Sequence, residues 1–386
     1  MSTWTWPAYV GVVGGVVLFG LLLVPILLFQ VRRYGALNGR RLVGAAAVAV
    51  YGVALVAYTL LPLPTGDLAA WCAAHGYTSA QLDPFRFVDD IRDATAGEPL
   101  RVAVRSPAVL QVVLNVVLFV PWGLIVRRFL GWRLVPTVMS AFAASLLIET
   151  TQYTGIFGLI PCSYRLGDVD DLLTNTLGGL VGALLAPVVL RWMPRSRDLA
   201  VHRGEPRPVT VWRRWFGMVV DAAAFVALGF VLDLAYRLGL DAAGRPVPTE
   251  QDGVDWLLGN VVPLLVVFGW PAFVGSGASW GQRAVWLAPW WPGRPRRLLR
   301  AVVPGGLWGL CVVLQSLPAT WDASGVVGAA RAAEVVLAVG AVVAVPLTRG
   351  KRGLSGVVSG AVVRDVRAPA PARPAQSERP SPSSTP

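Results

Sequence analysis

The sequence predicts an all-α, polytopic helical membrane protein with about nine transmembrane helices in two bundles. Apolar residues make up 55% of the 386 residues and charged residues 15%, which is too apolar for a soluble domain of this length. Apolar runs of about 20 residues, enough to cross a bilayer core of about 30 Å, recur along the chain. The predicted spans are 8–29, 42–62, 108–126, 134–154, 171–190, 215–235, 257–275, 302–318 and 327–347.

The distribution of charge predicts the orientation. The loops at 30–41, 127–133, 191–214, 281–300 and 349–352 hold 22 of the 34 basic residues, whereas 17 of the 22 acidic residues lie in or beside the other loops. Lys and Arg favour the cytoplasmic side, so the N-terminus is predicted outside and the C-terminus in the cytoplasm. The net charge of +12 then reflects topology. Nucleic-acid binding is not expected, because no basic run is interleaved with stacking aromatics.

A long basic linker with Pro194 and Pro206 separates five predicted spans from four. Such a linker is unlike the tight turns within a helical bundle, and no convincing internal repeat relates the two sides. Two joined modules therefore fit best. The predicted organisation is an N-terminal helix and basic loop at 1–41, a first membrane domain at 45–190, a basic cytoplasmic linker at 191–207, a second membrane domain at 208–363 and a disordered cytoplasmic tail at 364–386.

Polar side chains of the first domain collect at predicted outer helix ends. Glu149 and Gln152 are three residues apart and share one helix face. The densest polar run begins at Arg165 and places acids at a helix N-terminus, where the helix dipole favours anions. The same helix continues through Gly178 and Gly182, whose spacing permits close helix packing. The candidate residues for ligand binding or a polar network are Asn115, Glu149, Gln152, Arg165, Asp168, Asp171 and Asn175.

These residues allow several roles. In a structural network, Arg165 would pair with Glu149 or an Asp. In a binding site, Arg165 would hold a carboxylate or phosphate, while Asp168 and Asp171 would accept amines or hydroxyls. No spacing matches a known divalent-metal loop, and hydrolysis lacks a nucleophile–base pair. No catalytic residue, metal or cofactor is therefore expected, and the balance leans against an enzyme.

This half resembles the VanZ-like family of membrane proteins, over roughly 45–190. The family is named for a factor that lowers susceptibility to the glycopeptide teicoplanin. The resemblance implies a bacterial plasma-membrane protein of the cell envelope with a part in antibiotic resistance. Its candidate partners are an envelope precursor, a glycopeptide or another membrane protein, besides the lipid bilayer. The resemblance rests on 82–85, Asn115 with Phe119, Pro121 and Gly123, Glu149 with Gln152, and 165–178.

In the second domain, Arg214 and Asp221 are seven residues apart and can share a face of the sixth span. A charge buried in a membrane is costly, so a salt bridge that positions the helix is the expected role, with ion-coupled transport as the alternative. The arginines at 294–300 are expected to contact anionic lipid. Together with 280–283, the pair resembles the signature of the RDD family of small bacterial membrane domains, over roughly 208–363.

Cys72 and Cys162 both fall in predicted outer loops, whereas Cys311 lies in a span. The sequence allows a disulfide between the outer pair and equally allows two unpaired thiols.

The leading hypothesis is a non-enzymatic envelope factor linked to glycopeptide tolerance. It would recognise an extracytoplasmic ligand or partner through Glu149, Arg165, Asp168 and Asp171. The alternative is a membrane carrier of a small solute, ion or lipid.

Overall fold

The computed structural model of the protein describes residues 5–318 and 323–369. Within those residues, nine helices are long and apolar enough to cross a membrane. The predicted all-α polytopic fold is therefore confirmed, and the chain is a multi-pass membrane protein in contact with the lipid bilayer. The nine helices are α1 Trp6–Tyr34, α2 Gly39–Leu60, α3 Pro107–Leu130, α4 Leu134–Tyr153, α5 Val169–Val189, α6 Val211–Ala242, α7 Gly253–Ala272, α8 Arg297–Gln315 and α9 Ser324–Leu347.

The connections between the long helices, and the segment after α9, carry short elements. Two strands, β1 Leu287–Trp290 and β2 Val362–Asp365, pair antiparallel with Leu287 opposite Asp365. α3, α7 and α8 contain π-helical turns close to a proline, which cannot donate a backbone hydrogen bond. The short helices are Leu68–His75, Arg86–Thr95, Leu100–Ala103, Gly155–Gly158, Ser196–Val201, His202–Gly204, Trp280–Ala284, Arg349–Lys351 and Gly353–Ser359.

The chain forms two compact units. Unit 1 takes in the chain up to Leu27 together with Leu37–Val201, and unit 2 takes in Leu28–Ala36 and the chain from His202 onward. The last part of α1 thus belongs to unit 2, an assignment that hydropathy alone does not reveal.

The prediction of a disordered tail at 364–386 is wrong at its start. Arg364 and Asp365 belong to β2, and the side chains of Val363 and Asp365 are buried. The strand has only four residues, too few for an alternating pattern to stand out from a loop in sequence. The rest of that predicted tail, 370–386, lies outside the described residues.

Close backbone contacts hold α3, α4 and α5 together in unit 1. A Cβ added to Gly182 would lie 2.0 Å from the Val120 carbonyl oxygen, and one added to Gly178 would lie 2.2 Å from the Val116 carbonyl oxygen. These contacts show that α3 and α5 run parallel. Phe119 of α3 is fully buried in the resulting core. The small-residue stripe predicted from the sequence is therefore the surface that packs against α3.

Arginines bind helix ends at one end of unit 1. Arg41 Nη2 donates to the Phe129 carbonyl at 2.7 Å. Arg128 donates to the Leu190 and Met193 carbonyls at 3.1 and 2.8 Å. The last carbonyls of a helix have no donor within the helix, so guanidinium groups satisfy them. The parallel course of α3 and α5 places their N-terminal halves, with Asp170 and Asp171 at the start of α5, at the other end.

Unit 2 packs α6 against the turn that begins at Trp280. A Cβ added to Gly281 would lie 1.8 Å from the Gly217 carbonyl oxygen, so two glycines allow the contact. Farther along, Phe225, Val267 and Val313 form a core of buried residues. The eighth helix begins at Arg297, five residues before the predicted 302, because arginines in its first turns lower the apparent hydropathy there.

A second feature of unit 2 is the coordination of Asp365. Arg213 Nη2 lies 2.9 Å from Asp365 Oδ2, and Arg367 approaches both carboxylate oxygens, at 2.9 and 2.6 Å. Burial alone would raise the pKa of Asp365. Hydrogen bonds from Arg367, from the backbone N–H of Arg207 and from Arg213 outweigh burial and hold that pKa well below its usual range.

Candidate functional site

Four acids lie together where the C-terminal part of α4 meets the start of α5 in unit 1. We call Glu149, Asp168, Asp170 and Asp171 the carboxylate cluster. Asp168 is the N-cap of α5, and its Oδ1 accepts the Asp170 N–H at 2.8 Å. This bond satisfies one of the N–H groups that a helix start leaves unpaired. The cap therefore fixes how the acids of α5 are presented.

Glu149 joins α4 to this cap. Its Oε2 accepts the Asp168 N–H at 3.1 Å, and the side chain is buried. Burial raises the pKa of Asp168, and the charges of Asp170 and Asp90 raise it further. The hydrogen bond from the Asp170 N–H acts in the opposite direction. The carboxylates thus lie close enough to repel one another.

Asp170 has the most hydrogen bonds in the carboxylate cluster, although the sequence did not single it out. Its Oδ1 accepts the Phe85 N–H at 2.6 Å, and its Oδ2 accepts the Phe87 N–H at 2.9 Å and Gln81 Nε2 at 3.3 Å. Phe85 has a φ of 68°, in the left-handed region that non-glycine residues rarely adopt. Asp170 therefore holds the segment 81–87 in place.

Asn115, Asp171 and Asn175 are brought together as neighbours. Asn115 Nδ2 donates to Asp171 Oδ1. Asn175 Nδ2 donates to Ser145 Oγ at 2.9 Å, and Ser145 Oγ lies 3.4 Å from the Asp171 carbonyl oxygen. Asn175 Oδ1 is buried and has no donor among the described residues. One polar seam therefore connects α3, α4 and α5.

Arg165 and Gln152 bind the end of α2 instead of the carboxylates. Arg165 Nη2 donates to the Leu61 carbonyl at 2.7 Å, and Gln152 Nε2 donates to the Thr59 carbonyl at 2.6 Å. Across 5–318 and 323–369, no carboxylate lies within 4.0 Å of Arg165. The pairing of Arg165 with Glu149 or an Asp, one of the alternatives that the sequence left open, does not occur among the described residues. The carbonyls that end α2 lack helical donors and take the guanidinium and the amide instead.

Two long loops of unit 1 are joined beside the carboxylate cluster. Cys72 and Cys162 form a disulfide with Cα atoms 5.7 Å apart. Backbone bonds reinforce it, because the Tyr77 N–H donates to the Ser163 carbonyl at 2.9 Å and the Gln81 N–H donates to the Gly167 carbonyl at 2.8 Å. The loop before α3 is thereby fixed to the loop before α5.

The carboxylate cluster offers acceptors, and within the described residues no Lys or Arg side chain lies within 4.0 Å of its carboxylates. In the part of the chain that the structure describes, no group of three His, Cys, Asp or Glu residues could hold a metal ion. Its chemistry therefore suits a ligand that brings hydrogen-bond donors, such as an amine or a hydroxyl.

A comparison with known families places this arrangement in context. The family model described as VanZ/LLP1 matches residues 48–191, which contain every acid of the carboxylate cluster. Residues 48–191 are therefore similar to this family. The predicted resemblance over roughly 45–190 is confirmed, whereas the match ends before 208 and gives the RDD resemblance no support. No curated protein matches the chain, and no solved structure matches it.

Outside the VanZ-like segment, Arg214 and Asp221 of unit 2 are both buried but do not form a direct ion pair. Arg214 Nη2 donates to the Arg352 carbonyl at 3.2 Å, and Asp221 Oδ1 accepts the Gly281 N–H at 2.6 Å. Among the described residues, no carboxylate lies within 4.0 Å of Arg214. The predicted salt bridge is wrong, because seven residues span about 10 Å along a helix and backbone partners lie closer.

A cavity of about 260 Å³ lies beside these two residues in unit 2. Arg300 also lines it and is buried, in contrast to the lipid-facing position expected for 294–300. Its Nη1 donates to the Gly277 carbonyl and its Nη2 to Gln282 Oε1. We call this space the arginine cavity. Its lining includes Arg214, Asp221, Gln282, Arg300, Phe268 and Trp308.

Proposed function

We propose that this protein is a non-enzymatic factor of the bacterial envelope that recognises an extracytoplasmic ligand through the carboxylate cluster. One observation carries the proposal. Four carboxylates gather at one end of the VanZ-like segment, and within the described residues no Lys or Arg side chain lies within 4.0 Å of them. A ligand with amine or hydroxyl donors would offset their mutual repulsion.

Glu149 and Asp171 keep acceptor capacity for a ligand. A carboxylate offers about four acceptor sites. In the described structure, Glu149 accepts one protein hydrogen bond, and Asp171 accepts bonds from the side chains of Gln111 and Asn115. Asp170 is instead engaged by the segment 81–87. Arg165 is engaged by the Leu61 carbonyl, so the ligand's donors, more than any anionic group, would determine recognition.

Separate observations support the extracytoplasmic location of the carboxylate cluster and the link to glycopeptide tolerance. The abundance of Arg at the opposite end of unit 1 and in the predicted inner loops favours an extracytoplasmic carboxylate cluster. The link to glycopeptide tolerance is supported by the similarity of residues 48–191 to the VanZ/LLP1 family.

Substitution of Glu149 and Asp171, the two carboxylates proposed to bind the ligand, tests the proposal. Glu149→Gln and Asp171→Asn keep side-chain shape and remove charge, with Asp83→Asn on the exposed loop as the matched control. Membrane abundance and teicoplanin susceptibility would be measured in cells in which the introduced copy is the only source of the protein. We expect parental abundance, raised susceptibility for the two cluster variants and a parental response for the control. A parental response from both cluster variants at normal abundance would eliminate the carboxylate cluster as the functional site.

The orientation requires its own experiment. A topology reporter fused after Arg165 should be active outside the cytoplasm. A cytosolic reporter at that position would contradict recognition of an extracytoplasmic ligand, whatever the susceptibility tests show.

A carrier of a small solute, ion or lipid is the second candidate, and the arginine cavity favours it. The RDD-like domain at 208–363 stays a prediction; Arg214, Asp221 and Gln282, which belong to it, lie around one cavity. Substrate flux in proteoliposomes would favour the carrier, and ligand binding without flux would favour recognition.

A further inference from the structure

We infer that the arginine cavity is a binding site for an anionic amphiphile, meaning a carboxylate or phosphate head group on an acyl chain. The inference concerns binding alone, so it holds whether or not the ligand is carried across the membrane, and it is independent of the carboxylate cluster.

The charges that line the arginine cavity do not balance. Arg214 and Arg300 line it and are 3% and 8% exposed. Asp221 is the one acid in the lining, and within the described residues neither arginine has a carboxylate within 4.0 Å. The lining therefore carries one formal positive charge in excess. A buried charge without a counter-charge is costly, and a bound anion would reduce that cost.

The two guanidinium groups differ in what they offer. Arg300 is held by the Gly277 carbonyl and by Gln282, so it contributes a fixed positive charge. Arg214 donates to the Arg352 carbonyl, and among the described residues its buried Nε has no protein partner. A guanidinium with N–H groups to spare is suited to bind a carboxylate or phosphate through two parallel hydrogen bonds.

The rest of the arginine cavity suits an acyl chain. Phe268 and Trp308 form apolar walls, and Val219 and Val342 line the cavity while being 48% and 44% exposed. Val219 and Val342 belong to α6 and α9, two of the membrane-spanning helices. An exposed apolar position on such a helix contacts acyl chains. The cavity therefore opens towards the lipid between these helices.

Size and depth limit the ligand further. A volume of about 260 Å³ lies just under the roughly 300 to 1,000 Å³ of ordinary ligand pockets, so a head group with part of one chain fits best. Arg214 is three residues and Asp221 ten residues from the start of α6 at Val211, or about 4.5 and 15 Å along the axis. Arg214 thus lies near the level of lipid head groups, with the apolar walls deeper.

Equilibrium binding to the purified full chain in a neutral detergent tests the site. The probes are labelled palmitate, phosphatidylglycerol, phosphatidylcholine and inorganic phosphate. We expect saturable binding of palmitate or phosphatidylglycerol, at least roughly tenfold weaker binding of phosphatidylcholine, and no competition from inorganic phosphate. Palmitate alone would identify a fatty acid as the ligand, and phosphatidylglycerol alone a bilayer phospholipid; either result supports the site. Equal binding of phosphatidylcholine, or none of the anionic probes, would overturn it.

Variants then locate the binding. Arg214→Gln should weaken binding roughly tenfold, because a hydrogen-bonded charge is lost. Ala338→Leu should weaken it similarly by filling the apolar part. Asp221→Asn should tighten binding severalfold, since it removes the opposing charge and keeps an oxygen for the Gly281 N–H. The matched control is Arg349→Gln, an exposed arginine outside the lining.

The control separates a cavity site from general attraction to the basic surface. Parental binding by Arg349→Gln together with the three expected changes supports the arginine cavity. An equal loss from Arg349→Gln would overturn it. Should Arg214→Gln fail to accumulate, Ala338→Leu and Asp221→Asn decide, because their expected shifts have opposite signs. Binding without flux would support the site and refute only the carrier.

Discussion

The carboxylate cluster of unit 1 and the arginine cavity of unit 2 are two groups of like charges placed at membrane-spanning helices, yet they are stabilised differently. In the carboxylate cluster, backbone N–H groups from the start of α5 and from the segment 81–87 supply the hydrogen bonds. In the arginine cavity, carbonyls and one amide satisfy part of the guanidinium N–H groups, and Arg214 Nε is left over beside an open space. An unpaired donor such as Arg214 Nε beside a cavity supports ligand binding more strongly than a group of like charges does.

The comparison also separates residues within the carboxylate cluster. Both carboxylate oxygens of Asp170 accept hydrogen bonds from the backbone of a distant loop, whereas Glu149 accepts one protein hydrogen bond in the described structure. Asp170 should therefore act on stability and Glu149 on recognition.

The largest expected effect comes from Asp170→Ala. The substitution leaves the Phe85 and Phe87 N–H groups without their acceptor. A hydrogen bond to a charged group contributes about 1.5 to 3 kcal/mol, and these two bonds are only partly buried, so the free energy of unfolding should fall by about 2 to 4 kcal/mol. Thermal unfolding in detergent and membrane abundance would measure the loss.

Asp83→Ala is the control for this change. Asp83 is an exposed acid on the same loop, and a surface substitution of that kind should stay within about 0.5 kcal/mol. If Asp170→Ala were as stable as Asp83→Ala, the cluster would not be held by its backbone bonds, and the contrast with the arginine cavity would disappear.

A smaller loss in the free energy of unfolding is expected from Gly182→Ala. The added Cβ would lie 2.0 Å from the Val120 carbonyl oxygen, so α3 and α5 must move apart. Overpacking of this kind costs about 1 to 3 kcal/mol, and the shift would also separate Asn115 from Asp171. Unfolding of the purified chain would give the magnitude.

Gly52→Ala in α2 provides the matched comparison, because nothing lies within 4 Å of its added Cβ. Ala favours a helix over Gly by about 1 kcal/mol, so this variant should be neutral or slightly more stable. Equal losses from both substitutions would point to helix propensity and argue against a close contact between α3 and α5.

The sequence predicts the long helices because hydropathy is a local property. It also predicts the small-residue stripe of Gly178 and Gly182, whose spacing is itself a packing signal. The start of α8 is missed, since Arg297 and Arg300 lower the hydropathy of turns that are nevertheless helical. The four-residue strand β2 is missed because its partner β1 is more than 70 residues away in the chain.

In the candidate site, too, contacts between residues far apart in the chain could not be predicted from the sequence. Asp170 and Phe85 are 85 residues apart, so no local pattern marks their bond, although both lie in segments that the sequence singled out. A carboxylate of the chain was one of the partners inferred for Arg165, because opposite charges are the simplest pairing to infer from residue types. Backbone carbonyls at helix ends compete for the same guanidinium, and residue types alone do not reveal them.

The smallest expected effect is a difference in pH response between the two units. The folded-state pKa of Asp168 is raised above its ordinary 3.8, so acidification through that folded pKa should stabilise the start of α5. The pKa of Asp365 is lowered, so its contribution is fully present above the ordinary value of 3.8 and is lost only as pH falls below it. Hydrogen exchange, corrected for intrinsic rates, should therefore show added protection at 169–173 between pH 7 and 4.5 and unchanged protection in β1 and β2. Asp168→Asn keeps the N-cap oxygen and should reduce the response at 169–173. A loss of protection there on acidification would contradict the crowding of carboxylates in unit 1.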